Sequence, residues 1–258
     1  MPFTQDIHYS LYQPKENITS RPPLILIHGA GGSFLSWHPS LRRLQDETVY
    51  TLDLPGHGGS KGKGKSSIAE YTDTIANFMD ELQIHSAVIA GISMGSAIAL
   101  TLALKHPQKV NALALCGSGA KLRVAPIILE NIGNPETFTE AVEQVNRACF
   151  SQHASSDLLA LSKKNLLETD PATLLQDFLA CNQFDISAQL AHIHAPTLIL
   201  CGAEDAMTPP KYSQYLKDNL PNAQLHILEK AGHLLTLEQP EAVAKILKEF
   251  LDELPPRT

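Results

Sequence analysis

The sequence predicts an α/β fold: a mainly parallel, doubly wound sheet flanked by helices, with a helical cap inserted between two strands. Three observations predict it. Short runs of Leu, Ile and Val recur along the 258 residues, several of them followed directly by glycine. Segments with apolar residues at helical spacing alternate with those runs, the order expected of strands crossing over through helices. The alternation lapses over residues 120–187, where helical patterns continue without a strand, and then resumes.

In chain order, the first strands are Leu24–Ile27 and Val49–Leu54. Runs this short and this apolar on both faces read as buried strands of a parallel sheet. Ser67–Leu82 then carries Ile68, Tyr71, Ile75, Phe78, Met79 and Leu82 at helical spacing. Ala87–Ala90 is the next strand, and Met94–Lys105, nearly all small or apolar, reads as a buried helix. Ala112–Cys116 is another strand. The segment 120–187 offers several helical stretches, among them Glu136–Phe150 and Pro171–Asn182. Strands return at Thr197–Cys201 and Gln224–Leu228, and Pro240–Leu254 starts with a proline suited to a first helical turn. The expected division is a core of residues 1–119 and 188–258 and a lid of residues 120–187 at one edge of the sheet.

Composition bounds the function. Hydrophobic residues at 43% and charged residues at 18% are those of an ordinary soluble globular protein. A net charge of −7 argues against general binding to nucleic acid or anionic membranes. Cys116, Cys149, Cys181 and Cys201 lie far apart and form no C-x-x-C pair, so neither a disulfide framework nor a zinc site is expected. Met1–Arg21 has no apolar stretch of the signal-peptide kind, and no run reaches membrane-spanning length. A cytoplasmic location is expected, and the glycosylation pattern Asn17-Ile18-Thr19 carries little weight without secretion.

The stretch "GGSKGKGKSS" satisfies two catalytic patterns at once. From Gly59 it reads as a phosphate loop ending Gly64-Lys65-Ser66; from Gly58 it reads as G-x-S-x-G around Ser60. A second G-x-S-x-G, "GISMG" at residues 91 to 95, has the context the first lacks. The strand "AVIAG" runs into it and the helix "SAIALTLALKHP" runs out. Strand, sharp turn and helix would push the Ser93 hydroxyl above the sheet, with the helix N-terminus favouring developing negative charge.

A serine nucleophile needs a base, an acid to orient it, and donors for the oxyanion. The loop leaving "LILCG" presents Asp205, with Glu204 as its neighbouring rival, and the loop leaving "LHILEKAGH" presents His233. The order Ser93, Asp205, His233 matches one known hydrolase order. The earlier acid position, after Cys116, holds Gly117-Ser118-Gly119 and no carboxylate. The oxyanion donors should be the main-chain N–H of Met94 and that of Ala30 in "HGAGGS", with Gly31 as the nearest rival to Ala30. His28 reads as a brace for this loop and not as a second base.

Together, "LILIHGAGGS", "LDLPGHGGS", "GISMG", "LCGAEDAMTP" and "AGH" resemble the α/β-hydrolase fold superfamily in its small, helical-capped branch. The resemblance runs from about Leu24 to the C-terminus. It implies a serine hydrolase cleaving a small carboxylic ester, with no metal or organic cofactor and a small molecule as substrate, with neither nucleic acid nor membrane as partner. The branch also holds carbon–carbon bond hydrolases, enol-lactonases and ligand receptors, which remain alternatives. The glycine-lysine run resembles an extension of the family loop "DLPGHGGS", so neither of its apparent motifs is expected to act. The lid offers Ile127, Ile128, Leu129, Phe138, Val142, Phe150, Leu174, Leu175 and Phe178, most of them for packing. Its cations are Arg123, Arg147, Lys121, Lys163 and Lys164, none beside a motif, so uncharged short-to-medium acyl groups are the expected substrates.

Overall fold

A computed structural model describes residues 2–4, 6–14 and 21–254, so the pattern at Asn17–Thr19 lies outside the described residues. The chain opens with β1 (Phe3–Thr4) and β2 (Ile7–Tyr12), which pair antiparallel. Then follow β3 (Leu24–Ile27), α1 (Pro39–Arg42), β4 (Val49–Leu52), α2 (Ile68–Glu81), β5 (Ala87–Ile92), α3 (Met94–Lys105) and β6 (Val110–Cys116). Four helices come next: α4 (Pro126–Ile132), α5 (Phe138–Ala148), α6 (Ser156–Glu168) and α7 (Pro171–Gln183). The chain closes with β7 (Thr197–Gly202), α8 (Pro210–Asn219), β8 (Ala223–Leu228), α9 (Leu235–Glu238) and α10 (Pro240–Glu253).

The eight strands make one sheet in the order β1-β2-β4-β3-β5-β6-β7-β8, parallel from β4 to β8. Leu24 and Leu26 face one hydrophobic layer with Trp37, Leu41, Val243 and Leu247. Ile25 and Ile27 face the other, with Tyr71, Met79, Ile98 and Leu102. Both faces are therefore covered, which is why the parallel strands carry apolar residues without a break. The order also places the site. From β3 the chain steps outward to β4 and then crosses back to β5 on the other side of β3. The loops leaving β3 and β5 therefore diverge, and such a switch point opens a crevice at the carboxyl ends of the strands.

Each run named from the sequence overlaps a described strand or helix, with Met94–Lys105 matched residue for residue and Val49–Leu54 ending two residues earlier, at Leu52. The sequence reading omits β1 and β2, and the β2 pattern "IHYSLY" buries only Ile7 and Tyr9 beside the edge strand β1. It also omits α6, a helix with no buried residue. The four-helix insertion leaves and rejoins the core through a narrow stem. There Ile186 N–H donates to the Ala120 carbonyl at 2.9 Å and Leu122 N–H to the Phe184 carbonyl at 3.3 Å. Its own small core holds Ile132, Ala141, Val142, Val145, Leu174 and Phe178.

Candidate active site

Between the end of β5 and the start of α3 stands one residue, Ser93, with φ 53° and ψ −113°. That backbone conformation costs a serine on the order of 1–3 kcal/mol and persists only where surroundings enforce it. Here they do. Ser93 N–H donates to the Cys116 carbonyl at 2.9 Å, and the Ser96 hydroxyl donates to the Gly91 carbonyl at 2.7 Å. The turn is also too tight for side chains beside it. A Cβ on Gly91 would lie 2.2 Å from the Gly95 carbonyl, and one on Gly95 would lie 2.3 Å from the Ile27 carbonyl oxygen.

Asp205 follows β7 and His233 follows β8, adjacent strands, so the two loops meet. His233 Nδ1 lies 2.8 Å from Asp205 Oδ2, and both side chains are buried. Asp205 Oδ1 accepts from the Met207 and Thr208 amides, each at 2.8 Å, and Oδ2 accepts from the Thr208 hydroxyl at 2.8 Å. Burial works to raise the Asp205 carboxyl, but His233 and these donors outweigh it and hold it below the usual carboxylate range. Glu204 looks elsewhere. It accepts from the Gln152 amide at 3.1 Å and pairs with His153 at 3.2 Å.

The loop after β3 separates Ala30 from Gly31. Gly31 N–H is committed to Asp177 Oδ2 at 2.8 Å. Among the described residues, neither Ala30 N–H nor Met94 N–H has a protein acceptor. His28 braces the loop as expected: Nδ1 donates to the Gly29 carbonyl at 2.7 Å and Nε2 accepts from Leu54 N–H at 2.9 Å. Burial and the neighbouring His57 push its pKa down to about 4, so the ring is neutral. Ser60 is used up inside its own loop, donating to the Asp53 carbonyl at 2.6 Å and accepting from His8 N–H at 2.8 Å.

Ser93, His233 and Ala30 line one cavity of about 760 Å³. The insertion gives it apolar lining from Val145, Leu158, Leu161, Leu166 and Phe178, and polar lining that includes Asn146, Asn165, Glu168, Thr169 and Asp170. Of the nine apolar lid residues named from the sequence, only Phe178 reaches it; most of the others pack the insertion. None of the insertion's lysines or arginines lines it, but Arg42 of the core does. The Arg42 Nε donates to the Trp37 carbonyl at 2.9 Å and its guanidinium carbon stands 5.0 Å from the centre of the Phe34 ring.

Two carboxylates near the site escape the sequence reading. Glu238 of α9 accepts from Gly232 N–H at 2.7 Å and from the Ser151 hydroxyl at 2.6 Å, tying the His233 turn to the insertion. Asp177 of α7 holds Gly31. Neither sits in a motif, because each acts across a long stretch of chain. Among the described residues, no group of three or more His, Cys, Asp or Glu is arranged to hold a metal ion, and no helix is long and apolar enough to cross a membrane. All four cysteines are free thiols.

A parallel sheet with a strained serine between β5 and α3, and an acid–base pair on the loops after β7 and β8, defines an α/β hydrolase architecture. The chain belongs to the α/β hydrolase fold family, whose model matches residues 22–240, and it is a hydrolase. It is 29% identical over 240 residues to a pimeloyl-[acyl-carrier protein] methyl ester esterase of Neisseria meningitidis serogroup C, covering 88% of this chain and 92% of the relative. It is 29% identical over 259 residues to a putative carbamate hydrolase, RutD, of Stutzerimonas stutzeri, covering 96% and 97%. The solved structure of a thermophilic esterase superposes with a TM-score of 0.83 at 28% identity, covering 97% of this chain and 96% of the other.

Proposed function

We propose that the chain is a serine esterase acting on small carboxylic esters, with residues 120–187 as its cap. The observation that carries the reading is Ser93, held in a strained turn and sharing a cavity with the His233–Asp205 pair. In the first half-reaction His233 Nε2 takes the Ser93 proton as Oγ attacks the ester carbonyl. Asp205, bonded to Nδ1, keeps Nε2 free to act as base and then stabilises the imidazolium. The carbonyl oxygen becomes an oxyanion facing the Ala30 and Met94 amides, each worth on the order of a hundredfold to a thousandfold in rate. The intermediate collapses, His233 returns the proton to the departing alcohol, and the acyl group stays on Ser93. In the second half, His233 takes a proton from water as its oxygen adds to the acyl carbonyl, then gives that proton to Ser93 Oγ as the acyl–Oγ bond breaks, releasing the carboxylic acid and restoring serine and histidine.

The relatives' names, a methyl ester esterase and a putative carbamate hydrolase, support this class of reaction. The leucines of α6 and Phe178 favour an uncharged, short-to-medium acyl chain, and Glu168 and Asp170 on the same wall disfavour an anionic one. A panel of nitrophenyl esters, a lactone and a 1,5-diketone tests the reading at catalytic protein concentration. Brisk turnover of the esters is expected. Turnover of the diketone alone, or stabilisation by ligands without turnover, would replace it.

A further inference from the structure

The turn after β3 is gripped by the insertion. Gly31 N–H donates to Asp177 Oδ2 at 2.8 Å, and the Gly31 carbonyl accepts from the Thr169 hydroxyl at 2.9 Å. Leu166 and Leu174 close on the same residue, since a Cβ at Gly31 would lie 2.4 Å and 2.6 Å from their methyl carbons. Asp177 is wholly buried and has further partners. Its Oδ2 also meets His57 Nε2 at 2.7 Å, and its Oδ1 accepts from the Tyr71 hydroxyl at 2.5 Å. His57 turns its other nitrogen to the Pro55 carbonyl at 3.1 Å, so both ring nitrogens donate and the ring is charged. Loop, insertion and core thus converge on one carboxylate.

Peptide planarity gives this grip a consequence for Ala30. The Gly29 carbonyl and Ala30 N–H share one plane, whose carbonyl is held by His28 Nδ1 at 2.7 Å and by Gly32 N–H at 3.1 Å. The next plane, of the Ala30 carbonyl and Gly31 N–H, is held by Asp177. The one after it is held by Thr169. Three successive planes are pinned, two of them from the insertion. A hydrogen bond weakens steeply as its donor swings off line, so the direction of Ala30 N–H matters as much as its presence.

We infer that Asp177 and Thr169 are positioning residues for catalysis, fixing the Ala30 donor of the oxyanion hole through Gly31. The cap then does more than enclose substrate: it completes the device that stabilises the transition state. This rests on the esterase reading above. Asp177 does not line the cavity, so its effect belongs to kcat and not to substrate binding, whereas Thr169 does line it and can act on both.

The test compares wild type, Asp177→Asn and Thr169→Val on nitrophenyl butyrate, and titrates each with butylboronic acid, whose tetrahedral adduct on Ser93 needs the same donors. Losing an oxyanion donor outright costs a hundredfold to a thousandfold, so a misaimed one should lower kcat by about tenfold or more in Asp177→Asn. Thr169→Val should lower it by a few-fold, and KM should stay within about twofold in Asp177→Asn. Boronate affinity should fall by the same factors as kcat. A folded Asp177→Asn protein with wild-type kcat overturns the inference, as does a kcat loss with boronate affinity intact. Should Asp177→Asn fail to fold, the Thr169→Val pair of measurements decides alone. Wild-type protein that neither turns over the ester nor binds the boronate would instead sink the esterase reading itself.

Discussion

At the scale of single residues, Asp205 and Glu204 stand side by side and do different work. Asp205 is buried, takes four bonds and faces His233 Nδ1, whereas Glu204 pairs with His153 near the base of the insertion. Asp205→Asn puts the histidine in the wrong tautomer, so turnover should fall roughly ten-thousandfold. Glu204→Gln should change it by less than about threefold, as expected of a half-exposed pair. Steady-state kinetics on a nitrophenyl ester decides, and the reverse ranking would move the acid by one position. The strained backbone of Ser93 makes a second expectation. Ser93→Gly relieves the positive φ, so it should melt higher than Ser93→Ala by the equivalent of about 1 kcal/mol, though both lack turnover. Equal melting temperatures would mean that the turn stores no strain. Ser93, Asp205 and His233 were legible in the sequence because each follows a recognisable strand. Asp177 and Glu238 were not, because partners 146 residues from the first and 87 from the second leave no local pattern.

At the scale of elements, α6 explains both a gap in the sequence reading and the shape of the cavity. None of its residues is buried, so its leucines show no core-facing stripe of the usual kind. Leu158, Leu161 and Leu166 face the cavity instead, where substrate would cover them. Strand β2, next to the edge, was missed for a related reason, since a half-buried strand with polar alternates carries a weak signal. Each methylene laid against α6 is worth about 0.8 kcal/mol at most, so kcat/KM should rise by up to about fourfold per carbon until the cavity fills. Leu161→Ala should flatten that rise. A matched acyl series ending in carboxylate should be poorer in wild type, and poorer again in Arg42→Ala, because Arg42 is the one cation found on the cavity wall among the described residues. A clear wild-type preference for the charged series would overturn the apolar-pocket reading and make Arg42 an anchor.

At the scale of the whole molecule, buried histidines join the layers and set opposite limits on pH. His28 is neutral in the fold, with its pKa lowered from 6.5 to about 4. Between those values the unfolded chain binds the extra proton, so this contribution is lost as pH falls from about 6.5 towards 4. His57 is opposed by burial, but Asp177 raises its pKa above 6.5. Its contribution is present in full below that value and lost as pH rises through the raised pKa. Thermal melts across pH should therefore be highest near 6.5, and His57→Gln should melt lower while losing the alkaline decline. A wild-type melting temperature that keeps climbing above neutral pH would contradict the charged state of the His57–Asp177 pair.

The role of Ser93 is tested most directly by labelling with a serine-directed phosphonate, followed by peptide mass spectrometry and assay of the same sample. The expected result is one label, on Ser93, with ester hydrolysis lost in proportion to labelling and Ser60→Ala indistinguishable from wild type. A label on Ser60 or Ser118, or full hydrolysis by protein labelled at Ser93, would contradict it.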